Sequence, residues 1–250
     1  METFHKRLKL ETQPIGIKLL RTGEEFPEKV KRPSQMGQKW ALCQGFFAAR
    51  TLGMLVGFDK EDQACPIAQE LIGFERPVDL YTEGHLAHGM FTETLEGGKK
   101  SEEVLPKFSF GEYEKILVGP LEKFIDLTPD LIIIYGNPGQ VVRLIQSAIY
   151  KTGGNIHSYF TGRAGCIGAI AKCMQSQDYE IILNGNGERV FGHAQDYEMS
   201  FALPWKKMDD LIEGIEGTHQ GGVRYPYPAF IAYTPTFPKK YQELESMFGK

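Results

Sequence analysis

Cys43, Cys65, Cys166 and Cys173 carry the least ordinary chemistry in this 250-residue chain. Thiolates ligate iron–sulfur clusters and soft metals, and Cys65-Pro66 echoes the Cys-Pro that ends some ferredoxin ligand runs. There is no Cys-x-x-Cys pair. Cys166 and Cys173 are seven residues apart on one predicted helix, roughly 10 Å along its axis at the usual rise. That span exceeds what a disulfide permits and strains a shared cubane. At most three of the four thiols should meet, with Cys43, Cys65 and Cys166 the candidates for a metal or an iron–sulfur cluster. Two other readings stand beside this one. A free cysteine is a good small core residue, and Cys166, following Gly165 at a helix start, suits a reactive thiolate.

His85-x-x-His88, with Glu83 close by, offers two imidazoles to a metal if helical, or two solvated loop histidines if not. His157 and His193 stand alone. Three turns have the composition of an anion cradle: Asn137 to Gln140, Gly162 to Gly165 with Arg163, and Gly185 to Arg189. Glycine turns and helix starts expose backbone N–H groups, and an arginine adds a bidentate clamp. The expected ligand-binding set is Asn137, Gly139, Gln140, Arg163, Gly165, Gly187 and Arg189, with a small anionic ligand as partner. No turn is a Walker loop, and Gly185-x-Gly187 lacks the third glycine of a dinucleotide fingerprint and opens no clear helix. There is no Gly-x-Ser-x-Gly elbow and no His-Glu-x-x-His, so no reaction is named.

The element that must position these groups is Leu131 to Tyr135, a bulky β-branched run that predicts a strand buried on both faces. Asn137 then supplies a helix N-cap and Pro138 a first helical residue. Open α/β sheets place ligands at such strand ends. Before it come a short amphipathic helix over residues 1–12, a strand from Pro14 to Leu20, a helix over 38–57, a short helix framed by Pro66 and Gly73, and a strand from Tyr113. An irregular, glycine- and charge-rich stretch occupies 74–112. After it come a helix from Cys166 to Gln175, strands at Tyr179 to Leu183 and Met199 to Leu203, a helix from Lys206, a last strand from Ala229 to Tyr233 and a terminal helix from Lys239 to Met247.

Offsets suggest a duplication. Tyr113, Glu114, Pro120, Lys123, Asp126 and Leu127 match Tyr197, Glu198, Pro204, Lys207, Asp210 and Leu211, each 84 positions on. Cys43-x-Gly45-x-x-Ala48 matches Cys166-x-Gly168-x-x-Ala171 at a shift of 123. The shifts agree if the first half carries an insertion at 74–112. The expected fold is α/β or α+β: one domain of two related lobes, about 1–127 and 128–250, around a pseudo-twofold axis, with the ligand between the lobes.

Pro14 to Leu20, the Cys43 to Arg50 helix, Cys65 to Gly73, Pro120-Leu121, Pro129-Asp130 with Asn137 to Gln140, and Gly187-x-Arg189 together resemble the domain of unknown function family numbered 169. That resemblance covers almost the whole chain. It implies a cytoplasmic protein of the kind found largely in archaea and anaerobic bacteria, and assigns no catalytic residue.

Composition sets the outer limits. Net charge is -4, with no basic stripe and no aromatic–arginine groove, so nucleic acid is not an expected partner. No apolar run approaches the roughly 20 residues of a membrane span, and the polar N-terminus does not read as a secretory signal. A cytoplasmic setting keeps the cysteines reduced. A homo-oligomer is compatible with this composition. The leading expectation is a ligand- or cofactor-binding protein. Its rivals are a thiolate-ligated redox protein and an interaction subunit docking through 74–112.

Overall fold

A computed structural model describes residues 2–227 and 236–248. The run expected as a last strand, Ala229 to Tyr233, lies outside the described residues. The rest is organised by one six-stranded sheet whose strands are β1 (Ile15–Leu20), β2 (Val56–Phe58), β3 (Lys115–Pro120), β4 (Leu131–Gly136), β5 (Glu180–Leu183) and β6 (Met199–Pro204). Their order is β2-β3-β1-β4-β6-β5, and every neighbouring pair is antiparallel. The parallel-sheet rule that puts ligands at strand ends therefore has no switch point to act on here.

Strand β4 is buried along its whole length, as its composition predicts. Its period of two divides the side chains between two cores. Leu131, Ile133 and Tyr135 join Ile15, Ile17, Ile116 and Val118 on one face. Ile132 and Ile134 join Phe201 and Leu203 on the other. Each fully buried Ile or Leu contributes about 1.5–3 kcal/mol relative to an exposed one, so slipping β4 by one residue would misplace the centre of both cores at once.

Helices cover both faces. On the first lie α1 (Leu42–Leu52), α2 (Pro66–Ile72), α3 (Asp79–Thr82) and α4 (Leu95–Glu103); on the second lies α5 (Pro138–Ala148). Residues 165–176 return to the first face as α6 (Gly165–Ile167), a π-helical turn (Gly168–Lys172) and α7 (Cys173–Ser176). Then come α8 (Asn186–Val190), α9 (Met208–Gln220) on the second face, and α10 (Lys239–Met247). Asn137 caps α5 through a hydrogen bond from the Gln140 N–H (3.0 Å), while Gln140 accepts from the Asn137 N–H (2.8 Å).

Several boundaries differ from expectation. The helix expected over 38–57 stops at Gly53, which adopts φ +68°. The chain then turns back so that Val56–Phe58 pair with β3. The stretch 74–112 is less irregular than its composition implies. It holds α3 and α4, the latter started by Thr94, whose hydroxyl accepts from the Gly97 N–H (3.0 Å). Residues 184–187 do open a helix, α8, contrary to the tight turn expected there. The N-terminal helix is one π-helical turn, Phe4–Leu8.

From its edge inward, each half of the sheet reads second strand, third strand, first strand: β2-β3-β1 and β5-β6-β4. Strands β3 and β6 begin and end 84 residues apart, and each runs into a 3-10 turn, Leu121–Lys123 and Trp205–Lys207. The halves meet through β1 and β4 at the middle of the sheet.

Candidate thiol and carboxylate site

Cys43 is the second residue of α1, Cys65 is the N-cap of α2 and Cys166 is the second residue of α6. Two cross-packings bring these first turns together. Helix α1 of the first half packs against α8 of the second, and α2 of the first half packs against α6 of the second. The Cys43 thiol donates to the Gly187 carbonyl oxygen (3.5 Å). Glu188, buried in α8, is the acidic member of the group.

The electrostatics record this proximity. Burial pushes the Cys43 thiol up to about 12, and the charges of Glu188 and Cys65 add to the effect. Burial also holds the Cys166 thiol well above its ordinary range, again with Glu188, Cys43 and Cys65 contributing. The Glu188 carboxyl is itself raised by burial, against the opposing pull of backbone N–H groups that include those of Cys166 and Gly185. At neutral pH Cys43 and Cys166 are therefore neutral thiols, which argues against Cys166 as a free reactive thiolate. Cys173 does not join the others. It is fully buried in the first core, and after burial itself the charges acting on it are those of Glu180, Asp178 and Lys207.

The shift has a consequence for stability. Cys43 ionises near 12 when folded but near its ordinary 9 when unfolded, so above pH 9 the unfolded chain gives up this proton first. The stability it contributes is complete below about pH 9 and is lost as pH rises toward 12. The urea midpoint of metal-free protein should fall across that window, and Cys43→Ala should flatten the decline. An unchanged slope would contradict the buried-thiol assignment.

Of the three turns of the expected anion cradle, 162–165 and 185–189 lie side by side, a Cβ on Gly185 falling 3.6 Å from the Arg163 Cα, while the Asn137 turn stands on the second face. Asn137, Gly139 and Gln140 begin α5 on the second face, where the Asn137 amide donates to the Tyr225 hydroxyl (2.8 Å). Gln140 donates to the Leu8 and Lys9 carbonyl oxygens (3.0 Å each), which ties down the N-terminal turn. Arg163 is buried against Glu102 of α4 as an ion pair and lies 5.0 Å from the Phe91 ring centre, so it anchors the 74–112 segment. Arg189 holds its own loop, donating to Asn184 O (3.1 Å) and Gln195 O (2.6 Å). Only Gly165 and Gly187 of that set lie at the cysteine site. A cavity of about 70 Å³, lined in part by Arg163, Gly165, Lys172 and Ile182, opens beside it.

The histidines do not contribute. His85 and His88 are exposed, and Glu83 pairs with Lys99 (2.8 Å) in place of either. His157 is exposed, and exposed His193 stacks on Phe47 with ring centres 4.6 Å apart. Among the described residues no three His, Cys, Asp or Glu side chains are set to grip a single metal ion. Nor, among them, is any helix long and apolar enough to cross a membrane.

Glu188, Arg50 and Glu198 are absent from the ligand and metal residues expected from the sequence. A signal for Glu188 was present: three residues after the Gly185 N-cap, an acidic residue reaches back to the cap N–H, here at 3.1 Å. Arg50 and Glu198 have no such local mark, because their pairing spans 148 residues.

The family model for domain of unknown function 169, described as "Uncharacterised ArCR", matches residues 3–214. The chain belongs to this family. The matched span contains all four cysteines, Glu188 and the Arg50–Glu198 pair. Uncharacterized protein MJ0308 of Methanocaldococcus jannaschii is 26% identical over 210 residues, covering 82% of this chain and 88% of that protein. No solved structure matches.

Proposed function

We propose that this DUF169 chain binds a metal-containing cofactor between its two halves through Cys43, Cys65 and Cys166, and that an iron–sulfur cluster suits the site better than a single ion. What supports this reading is that Cys43, Cys65 and Cys166 stand at the starts of three helices linked through the α1–α8 and α2–α6 packings, with the charge of Cys65 acting on Cys43 and those of Cys43 and Cys65 acting on Cys166. Two thiolates on one tetrahedral ion, each bonded at about 2.3 Å, stand roughly 3.8 Å apart. No trio of that kind is present among the described residues. A cluster anchors each thiolate to a different iron and interposes its own sulfides, so it asks for thiols that are neighbours without touching. That the two halves are copies of one unit is part of the same proposal, supported by the matching strand orders and the shared 84-residue shift of β3 and β6.

Because Cys43 and Cys166 are held neutral, loading must release their protons and is favoured by rising pH. Protein purified without oxygen, or reconstituted with ferrous iron and sulfide, should be brown and carry both elements. Cys43→Ser, Cys65→Ser and Cys166→Ser should each lower iron per chain by roughly tenfold or more, and Cys173→Ser should leave it unchanged. Reconstituted native protein that stays colourless and iron-free would remove the proposal.

A further inference from the structure

We propose that the chain holds a phosphate-type oxyanion on the second face of the sheet, where Arg143 of α5 and His219 of α9 each bury an N–H donor that has no acceptor. The site lies on the face opposite α1 and α2 and is independent of the cluster reading.

Arg143 is fully buried, one turn after Gly139 on the same face of α5. Its Nη1 donates to Gln146 Oε1 at 3.3 Å and its Nη2 to the Ile215 carbonyl oxygen at 3.5 Å, both long contacts to uncharged groups. Its Nε has no hydrogen-bond partner. Among the described residues no carboxylate pairs with it, and apart from burial the group acting on it is Tyr227. The remaining residues, 1, 228–235 and 249–250, include no Asp or Glu. A guanidinium keeps its charge at neutral pH, so Arg143 is a buried cation without a counter-ion.

His219 reaches the same place from α9. Ile215 stands one turn before it, so the Arg143 guanidinium rests beside the turn that carries the imidazole. Arg7 Nη1 lies 3.0 Å from His219 Nε2. A guanidinium can only donate, so Nε2 accepts and the ring proton sits on Nδ1. Nδ1 is buried and has no partner. Burial, then the charges of Arg7, Arg224 and Arg143, lower the His219 pKa against the opposing pull of Glu216, which keeps the ring in this neutral form.

The charge here is one-sided. Lys6, Arg7, Arg143 and Arg224 act on Glu216 or His219, in a chain whose net charge is -4. Glu216 is already committed, since both its oxygens accept from Arg7. What this corner lacks is an acceptor. The orphaned donors arrive from two helices, and a tetrahedral oxyanion accepts from more directions than a planar carboxylate. Exposed Arg224 and the half-exposed Tyr227 ring, which packs over Gly139 beside Tyr225, form the outer edge through which an anion would enter.

The test uses the full chain at fixed ionic strength, with chloride exchanged for inorganic phosphate, sulfate or acetate. Phosphate and sulfate should raise the melting temperature and saturate at low millimolar concentration, unlike the general salting effect, which keeps rising. Acetate should not. Arg143→Met should abolish the shift, and without anion it should melt no lower than the native protein, because an uncompensated buried charge has been removed. An arginine kept only to bind the carbonyl end of α9 would give the reverse: a lower melting temperature with the phosphate shift intact. Should Arg143→Met fold poorly, Arg224→Ala decides, since this exposed side chain can be removed without loss of the fold and its absence should weaken phosphate binding severalfold. No saturable shift in the native protein, an equal shift with acetate, or a phosphate shift unchanged in both variants would overturn the site. Iron content enters none of these readouts, so the cluster reading stands or falls separately.

Discussion

Arg50→Ala should cost about 3–5 kcal/mol, the usual penalty for stranding one member of a buried ion pair. Arg50 is 3% exposed near the end of α1 and holds three things at once. Its Nη1 donates to Glu198 Oε1 at 2.7 Å, its Nη2 to the His193 carbonyl oxygen at 3.0 Å, and its guanidinium lies 4.2 Å from the Tyr135 ring centre. Without it, Glu198, itself 5% exposed, keeps only the Gln195 N–H at 2.8 Å as compensation. Against a total stability of roughly 5–15 kcal/mol, that loss is large enough to unfold much of the population at elevated temperature. The double variant Arg50→Met with Glu198→Gln should recover most of it, since replacing both charges removes the stranded group. Urea denaturation of the native protein, Arg50→Met, Glu198→Gln and the double variant gives the cycle. A single-variant loss below about 1 kcal/mol would mean the pair is solvated and the reading of this corner is wrong.

Gly214→Ala separates two effects of opposite sign. In an isolated helix the change stabilises by about 1 kcal/mol. In α9, a Cβ at this position would sit 1.9 Å from the Ser147 carbonyl oxygen of α5, a backbone atom that cannot rotate away. Helices α5 and α9 cross at this point, where the Thr218 and Ser147 hydroxyls also approach to 3.5 Å. Overpacking should prevail and the net change should be a loss of roughly 1–3 kcal/mol, read from the urea midpoint. Gly217→Ala makes a useful comparison because its Cβ would meet the Tyr150 ring, which is about half exposed and can swing aside. Its loss should be smaller. A stabilised Gly214→Ala protein would show that the two helices do not approach this closely.

What could be read from residue order was whatever local chemistry decides. The strand at Leu131, the cap at Asn137 and the Pro66–Gly73 frame are set by neighbours within four residues, and the structure places them as expected. Gln140 and Arg163 were harder. Their types suit an anion cradle, but Gln140 reaches Leu8 and Arg163 reaches Glu102, contacts that no local window contains. Strand β2 was hidden for a related reason: three residues, Val56–Phe58, carry too little pattern, and their pairing partner lies about sixty residues on. Glu188 was concealed by the two glycines before it, Gly185 and Gly187, which drew attention to the turn and away from the acid that follows.

The central pairing of β1 with β4, residues more than a hundred positions apart, bears on how the protein matures. Helices α6 and α8, which pack against α2 and α1, are synthesised only after the first half. A nascent chain ending before residue 165 therefore presents Cys43 and Cys65 without Cys166. If the proposed cluster is held by these three thiols, its delivery belongs to the end of folding, once this long-range sheet has closed.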